Sequence, residues 1–125
     1  MALTEGANIN VEINNKEYPY QTIDSGLFYN KILDQLKKNN RIGAVIAVDY
    51  AGHPSEIDKI MALAEEFKLT VIEDASHAVG ASYKDKPVGC CAYSDICVFS
   101  FHPVKIVTTI EGGAALTNSD AFAEK

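Results

Sequence analysis

The sequence predicts an α/β fold in which a mainly parallel sheet carries helices on both faces. Two continuous apolar runs, residues 42–48 and 69–72, have the composition of strands that are buried on both faces of a parallel sheet. Between these runs, apolar residues recur at helical spacing: Ile57, Ile60, Met61, Ala64 and Phe67. Strand, helix and strand therefore follow one another within about thirty residues, the size of a βαβ unit.

The first forty residues carry shorter patterns. Residues Ile9 to Ile13 alternate apolar and polar side chains, which predicts a short edge strand, and Asn14 to Asp24 is expected to form a loop. A helix is expected to start at Ser25 and to end near Asn39. Apolar residues recur at helical spacing in between: Phe28, Tyr29, Ile32, Leu33 and Leu36.

The rest of the chain supplies element boundaries and two further strands. Asp49 to Gly52 is expected to form the turn after the first buried run. Ser55 and Asp58, three residues apart, match the capping box that starts a helix. The runs Ile96–Phe99 and Gly113–Thr117 predict the last two strands.

Length and composition restrict the class of protein. The chain has 125 residues, 47% of them hydrophobic and 22% charged, which is typical of one globular domain. A net charge of -6 without a basic cluster argues against a nucleic-acid surface, and no apolar run approaches the roughly 20 residues that span a membrane. Three cysteines, two of them adjacent, fit neither a disulfide framework nor a zinc site. We therefore expect no bound metal and a cytoplasmic location.

Candidate ligand contacts follow the predicted strands, since ligands of open α/β sheets bind beyond the carboxyl ends of the strands. The residues in these positions are Asp49-Tyr50, Glu73-Asp74 and Ser100. Asp74 begins a run of small residues that permits close approach, so its carboxylate is a candidate partner for a cation or a protonated ring. The alternative is that Asp74 caps a helix with no ligand present. A single histidine such as His77 is more often structural than a ligand contact.

A second candidate is Lys105, which ends an apolar, aromatic-flanked segment that begins at Val98. An amine in such a segment can condense with an aldehyde to form a Schiff base. Alternatively, the lysine lays its aliphatic stem along apolar surface and keeps its charge in water. In the same way, Gly112-Gly113 can be a simple turn before the last strand.

Three segments in fixed order, Val71–Ala81, Phe99–Lys105 and Glu111–Gly113, resemble the DegT/DnrJ/EryC1/StrS family of pyridoxal-phosphate-dependent sugar aminotransferases. The resemblance extends over nearly the whole chain. It implies the aspartate-aminotransferase fold, fold type I, with residues 1–125 as a single, partial cofactor-binding large domain. It also implies that the family's N-terminal segment and small C-terminal domain are absent from this chain.

The resemblance implies roles for four residues. Lys105 matches the catalytic lysine that holds pyridoxal 5'-phosphate and then moves a proton between cofactor and substrate. Asp74 matches the carboxylate that keeps the pyridine nitrogen protonated, and His77 stands where the family has His or Gln against the phenolic oxygen of the ring. Ser100 matches the hydroxyl that helps to hold the cofactor phosphate.

Lysine at position 105 favours transamination, because the dehydratase branch of the family has histidine there. The resemblance implies a nucleotide-linked 4-keto-6-deoxy sugar as substrate, an amino-acid donor with glutamate favoured, and a homodimer in the full-length enzyme. The pathway implied is the synthesis of bacterial surface glycans. Ile106 departs from the asparagine that is common after the lysine elsewhere in the family.

The resemblance leaves two hypotheses for this chain. In the first, it is part of such an enzyme, with an incomplete active site and little or no turnover alone. In the second, it is a non-catalytic α/β binding or interaction module that retains the family motifs. A nucleotide-binding Rossmann-like domain is disfavoured because no G-x-G-x-x-G follows either buried run.

Overall fold

The computed structural model describes these parts of the chain: residues 9–13, 16–20, 30, 33–35, 37–38 and 42–125. The chain divides into two compact units, Met1–Lys38 and Asn39–Lys125.

The first unit contains an antiparallel hairpin of β1 (Ile9–Ile13) and β2 (Lys16–Tyr20). The predicted strand is confirmed at β1, whereas the predicted loop from Asn14 to Asp24 is wrong at β2. Ile13 pairs with Lys16, so two residues separate the strands, which is the commonest length of a hairpin connection. Two tyrosines at alternate positions of β2 also favour a strand.

The first unit also contains helical residues, at 30, 33–35 and 37–38. They agree with the helix predicted from Ser25 onwards. Leu33, one of the residues that predicted it, is described and half-buried. The other apolar positions of that pattern lie outside the described residues: Phe28, Tyr29, Ile32 and Leu36.

The second unit is built on a mixed four-stranded sheet. In chain order its strands and those of a separate small hairpin are β3 (Ala44–Val48), β4 (Thr70–Asp74), β5 (Ser82–Tyr83), β6 (Lys86–Pro87), β7 (Ile96–Ser100) and β8 (Gly113–Leu116). The spatial order of the sheet is β3, β4, β7 and β8. The first three run parallel, and β8 runs antiparallel to β7. The predicted α/β class, with a mainly parallel sheet, is confirmed, as are the four predicted strands after residue 42.

Helix α1 (Ile57–Phe67) confirms the predicted crossover helix and packs against β3 and β4. Side chains alternate between the two faces of a strand, so the paired residues Ala47, Glu73 and Cys97 lie on one face of the sheet, and all three are buried. The helix contributes its own buried stripe to this core: Ile57, Ile60, Leu63 and Ala64. The core of the unit therefore lies between α1 and this face.

The start of α1 differs from the predicted capping box. The helix begins at Ile57, and its N-cap residue, Glu56, makes no capping hydrogen bond with its side chain. Ser55 instead donates its backbone N–H and its hydroxyl to Oδ1 of Asp49, at 2.9 and 3.2 Å. A buried carboxyl group requires such donors, and Asp49 is completely buried, which explains why Ser55 is used there.

The prediction that residues 42–48 are buried on both faces is wrong within this unit. The strand begins at Ala44, and Ile46 is 59% exposed while its neighbour Ala47 is buried. Ile46 lies on the face opposite to α1, and β3 is the outermost strand of the described sheet. An apolar composition indicates that a strand can be buried, but it does not show which of its two faces is covered by other elements of the unit.

β5 and β6 form a short hairpin between β4 and β7, where no strand is predicted from the sequence. Lys84 and Asp85 have φ angles of 47 and 61 degrees, the combination found in a type I′ turn. The Tyr83 hydroxyl donates to Asp58 of α1 at 2.6 Å, and Lys84 forms an ion pair with the same carboxylate. The hairpin is thereby attached to the helix.

The chain ends in a short helix, α2 (Asp120–Ala123). Among the described helices whose two ends are defined, α1 is the longest, with 11 residues. None of the described helices has the length and apolar character required to cross a bilayer.

Candidate active site

The carboxyl ends of β3, β4 and β7 lie at one edge of the sheet, because the three strands are parallel and in register. Asp74 is the last residue of β4 and pairs with Val48 and Val98. Ser100 is the last residue of β7. Since ligands of open α/β sheets bind at this edge, two of the four predicted site residues stand where a ligand is expected.

Lys105 and His77 are in direct contact, although 28 residues separate them in the sequence. Lys105 Nζ lies 3.0 Å from His77 Nε2. The direction of this hydrogen bond depends on the tautomer of the imidazole: an ammonium group can donate only to a ring nitrogen that carries no proton. His77 is exposed and Lys105 is half-buried, so a ligand can reach both side chains.

The loop that carries Lys105 is closed at its base by backbone hydrogen bonds. Phe101 N–H donates to the carbonyl of Gly112 at 2.8 Å, and Thr109 N–H donates to the carbonyl of Phe101 at 3.1 Å. Within the loop, Lys105 N–H donates to the carbonyl of His102 at 2.9 Å. These bonds fix the path of the backbone on both sides of the lysine.

Asp74 uses one of its oxygens locally. Its Oδ1 accepts the backbone N–H of Ser76 at 3.1 Å and the Ser76 hydroxyl at 2.5 Å, the pattern of an Asx turn. No helix follows within residues 75–81, so the interpretation of Asp74 as a helix cap is wrong, although it does accept a nearby N–H. Its Oδ2 makes no hydrogen bond with any part of the chain that the structure describes, which leaves it available to a ligand.

Ser100 is not joined to the other predicted residues by hydrogen bonds among the described residues. Its Oγ accepts the backbone N–H of His102 at 3.5 Å, a long bond. The structure thus brings His77 and Lys105 together, while Asp74 and Ser100 end the paired strands β4 and β7 and bond separately.

Gly52 is a residue of this edge that the sequence did not identify. It ends the 3₁₀ turn Tyr50–Gly52 with a φ of 81 degrees, and a Cβ atom at this position would lie 2.8 Å from the carbonyl oxygen of His77. The turn after β3 therefore packs against the backbone of His77. A glycine in a tight turn at a strand end was the available signal.

Two buried carboxyl groups lie on the core side of the same edge. Asp49 directly follows β3 and is 0% exposed, and Glu73 is 5% exposed in β4. Burial raises the pKa of both carboxyl groups, and bonds from Ser55 oppose the shift at Asp49. Within the described residues, no group of three or more potential ligands is arranged to hold a metal ion.

The fold and this edge define an α/β protein with an accessible amine, an imidazole and a carboxylate beyond the ends of parallel strands. A family model described as the DegT/DnrJ/EryC1/StrS aminotransferase family matches residues 29–125. The chain therefore belongs to this family.

Similar proteins of known name are transaminases. A UDP-4-amino-4,6-dideoxy-N-acetyl-beta-L-altrosamine transaminase from Campylobacter jejuni is 40% identical over 126 residues, which are 99% of this chain and 31% of the relative. Helicobacter pylori PseC, an aminotransferase involved in the biosynthesis of pseudoaminic acid, has a TM-score of 0.65 at 41% identity, over 71% of this chain and 24% of PseC. NtdA from Bacillus subtilis with bound cofactor PMP has a TM-score of 0.57 at 29% identity, over 65% of this chain and 18% of NtdA. The chain thus spans less than a third of each of these proteins.

Proposed function

We propose that this chain is part of the cofactor-binding large domain of a pyridoxal-phosphate-dependent aminotransferase that acts on a nucleotide-linked keto-sugar. The contact between Lys105 and His77 at the carboxyl edge of a parallel sheet is the observation that carries the proposal. Membership of an aminotransferase family and the PMP bound to NtdA support the cofactor. The names of the Campylobacter and Helicobacter relatives support the class of substrate.

The side chains at this edge fit pyridoxal phosphate. The Lys105 amine makes one side-chain hydrogen bond among the described residues, to an exposed imidazole, so a ligand can take its place. Asp74 has a carboxylate oxygen without a hydrogen bond in the described structure, as a partner for a protonated ring nitrogen requires. Bound pyridoxal phosphate supplies an aldehyde that an amine attacks and a ring that withdraws electrons from the bond being broken.

Each of the four residues has a separate role in the proposed reaction. Lys105 is the nucleophile that attaches to the cofactor and later carries a proton on Nζ. His77 makes a hydrogen bond with Lys105 and orients the amine before the cofactor binds. Asp74 places negative charge beside the ring nitrogen, held in orientation by Ser76. Ser100 contributes its hydroxyl to the phosphate.

For the full-length enzyme, the proposal also includes the amino donor, the product and the oligomeric state. Its amino donor is an amino acid, with glutamate favoured, and its product enters bacterial surface glycans. We propose a cytoplasmic homodimer. The unpaired cysteines at 90, 91 and 97 fit a reducing compartment, and exposed apolar side chains around the lysine fit coverage by a second subunit: Val104, Ile106, Val107 and Ile110.

A titration of the chain with pyridoxal phosphate, followed by absorbance, tests the proposal. A saturable change with a stoichiometry of one cofactor per chain is expected, because the Lys105 amine contacts the imidazole of His77 at the sheet edge where Asp74 ends its strand. Turnover of a keto-sugar by the isolated chain is expected to be negligible, since the chain spans 31% of the Campylobacter relative. A non-catalytic module predicts no saturable change at any concentration.

Asp74→Asn is expected to weaken the binding of pyridoxal phosphate roughly 10- to 100-fold, the effect of losing a hydrogen bond to a charged group. Asparagine keeps an acceptor for Ser76, so the Asx turn is retained and the charge alone is removed. Fluorescence or absorbance titration measures the dissociation constant. Asp85→Asn, which removes a negative charge from an exposed turn, is the matched control. Equal effects of the two substitutions would remove Asp74 from the site.

A further inference from the structure

Asp49 and Glu73 place two carboxyl groups side by side in the core beneath the candidate active site. Glu73 pairs with Ala47 across β4 and β3, and Asp49 is two residues beyond Ala47, so all three side chains lie on the buried face. Because Val48 pairs with Asp74, Asp49 and Glu73 are diagonal neighbours on adjacent strand segments, a separation that a long glutamate side chain can span. Asp49 is 0% and Glu73 5% exposed, so water does little to stabilise two negative charges there.

The hydrogen bonds around this pair leave one oxygen without a donor. Oδ1 of Asp49 accepts both bonds from Ser55, and Oε2 of Glu73 accepts the Ser94 hydroxyl at 3.0 Å. Oδ2 of Asp49 is buried and has no donor in the described structure. Two ionised carboxylates offer only acceptors, so a bond between them requires that one carries a proton.

No ion pair with a basic side chain compensates the pair within residues 42–125. The ion pairs of this region are Lys59 with Glu56 and Lys84 with Asp58, and neither includes Asp49 or Glu73. Acids, thiols and hydroxyls face the pair from neighbouring elements: Asp74, Cys91, Cys97, Ser55 and Ser94. Tyr83, Lys86 and Tyr93 line a small cavity next to Glu73, and Lys86 forms no ion pair with it. The environment therefore favours one negative charge over two.

The donors identify the member of the pair that is protonated. Asp49 receives a backbone N–H and a hydroxyl from Ser55, both of which favour its ionised form. Glu73 receives the Ser94 hydroxyl and the Cys97 thiol, which is a weak donor. Burial and the charge of Asp49 raise the pKa of Glu73. Glu73 is consequently the acid and Asp49 the carboxylate.

We infer that Asp49 and Glu73 share one proton, carried by Glu73 and donated to Oδ2 of Asp49, and that this bond positions the active-site edge. Asp49 leads into the turn whose Gly52 packs on His77, and Glu73 directly precedes Asp74. The bond therefore joins the segment that supports His77 to the segment that presents Asp74. The positioning role rests on the proposed function, whereas the shared proton does not.

The sign of the pH dependence follows from the raised pKa of Glu73. The stability contributed by its protonated form is fully present below the unfolded pKa of glutamate, about 4.3, and is lost as the pH rises through the folded pKa. The melting temperature of the wild-type chain is expected to fall over that window. Glu73→Gln keeps a donor for Asp49 without a titratable proton, so its melting temperature should change less with pH.

Infrared spectroscopy of the wild-type chain near neutral pH, without cofactor, tests the shared proton. A carbonyl band of one protonated carboxylic acid per chain is expected, lost in Glu73→Gln and retained in the control Glu65→Gln, whose side chain is exposed on α1. Absence of the band from the wild-type chain would overturn the inference. A band that survives in Glu73→Gln would overturn the assignment of the proton.

Carbon-13 NMR of the wild-type chain labelled at glutamate carboxyl carbons tests the same proton without a substitution. One glutamate that remains protonated near neutral pH is expected, and ionisation of every glutamate would contradict the shared proton.

The positioning role is tested separately, by the affinity of two variants of Glu73 for pyridoxal phosphate. Glu73→Gln is expected to bind pyridoxal phosphate within about twofold of wild type. Glu73→Leu is expected to bind it at least about tenfold more weakly, because leucine leaves Oδ2 of Asp49 without a donor. Equal affinities of the two variants would overturn the positioning role. Failure of the wild-type chain to bind cofactor with the infrared band present would overturn the proposed function instead.

Discussion

Lys105→Ala is expected to abolish the covalent attachment of pyridoxal phosphate, so that its absorbance in the presence of the chain equals that of the free cofactor. The substitution removes the amine that lies 3.0 Å from His77. The fold should be retained, because the side chain contributes a hydrogen bond to an exposed residue, with a net effect of about 1 kcal/mol or less. Difference absorbance measures attachment, and thermal unfolding measures the fold.

Lys125→Ala is the matched control for this experiment. Lys125 is an exposed lysine whose ammonium group lies 5.6 Å from the ring of Phe122, away from the loop that carries Lys105. The control is expected to bind the cofactor as the wild-type chain does. If Lys105→Ala and Lys125→Ala retain the same attachment, the assignment of Lys105 fails.

Gly52→Ala is expected to destabilise the second unit by roughly 2–5 kcal/mol, the sum of left-handed backbone strain and overpacking. Alanine at this φ of 81 degrees is strained, and its Cβ would approach the carbonyl oxygen of His77 to 2.8 Å. Either the turn Tyr50–Gly52 or His77 must move. The affinity for pyridoxal phosphate should fall together with the melting temperature, because His77 contacts Lys105.

Gly80→Ala separates these two causes. Gly80 has a φ of 82 degrees, but a Cβ atom there would meet nothing within 4 Å. Backbone strain alone is therefore expected, about 1–2 kcal/mol, with no effect on cofactor affinity at temperatures where the chain is folded. Chemical denaturation measures both free energies of unfolding. Similar losses of stability and affinity in the two variants would exclude a specific role for the contact between Gly52 and His77.

The parts of the fold that the sequence predicts correctly are those with long, regular patterns. The apolar repeat of α1 and the continuous runs of β4 and β7 are visible without tertiary information, because the spacing of buried residues follows the period of each element. The hairpin of β5 and β6 was missed since its turn uses Lys84 and Asp85, and neither residue signals left-handed backbone as Asn-Gly does.

The capping box failed for a different reason. Ser55 is three residues before Asp58, but its hydrogen bonds go to Asp49, six residues earlier. A local motif competes with any buried acceptor that the fold brings near. The burial of Asp49 becomes visible only once β3 is placed in the sheet.

The candidate site was predicted from a resemblance of whole segments rather than from spacing. Position at strand ends indicated Asp74 and Ser100 as candidates, but nothing in the sequence places His77 against Lys105, 28 residues away. The contact of Gly52 with His77 and the pairing of Asp49 with Glu73 depend on strand register and on the path of a turn. These are properties of the folded chain.

Reduction of the cofactor complex with borohydride, followed by peptide mapping of the labelled lysine, identifies the lysine to which the cofactor is attached. The chain has ten lysines that compete for pyridoxal phosphate. The label is expected on Lys105 at about one per chain under limiting cofactor, with little on the other lysines. Label distributed among exposed lysines, with Lys105 not preferred, would contradict it and would favour a non-catalytic module.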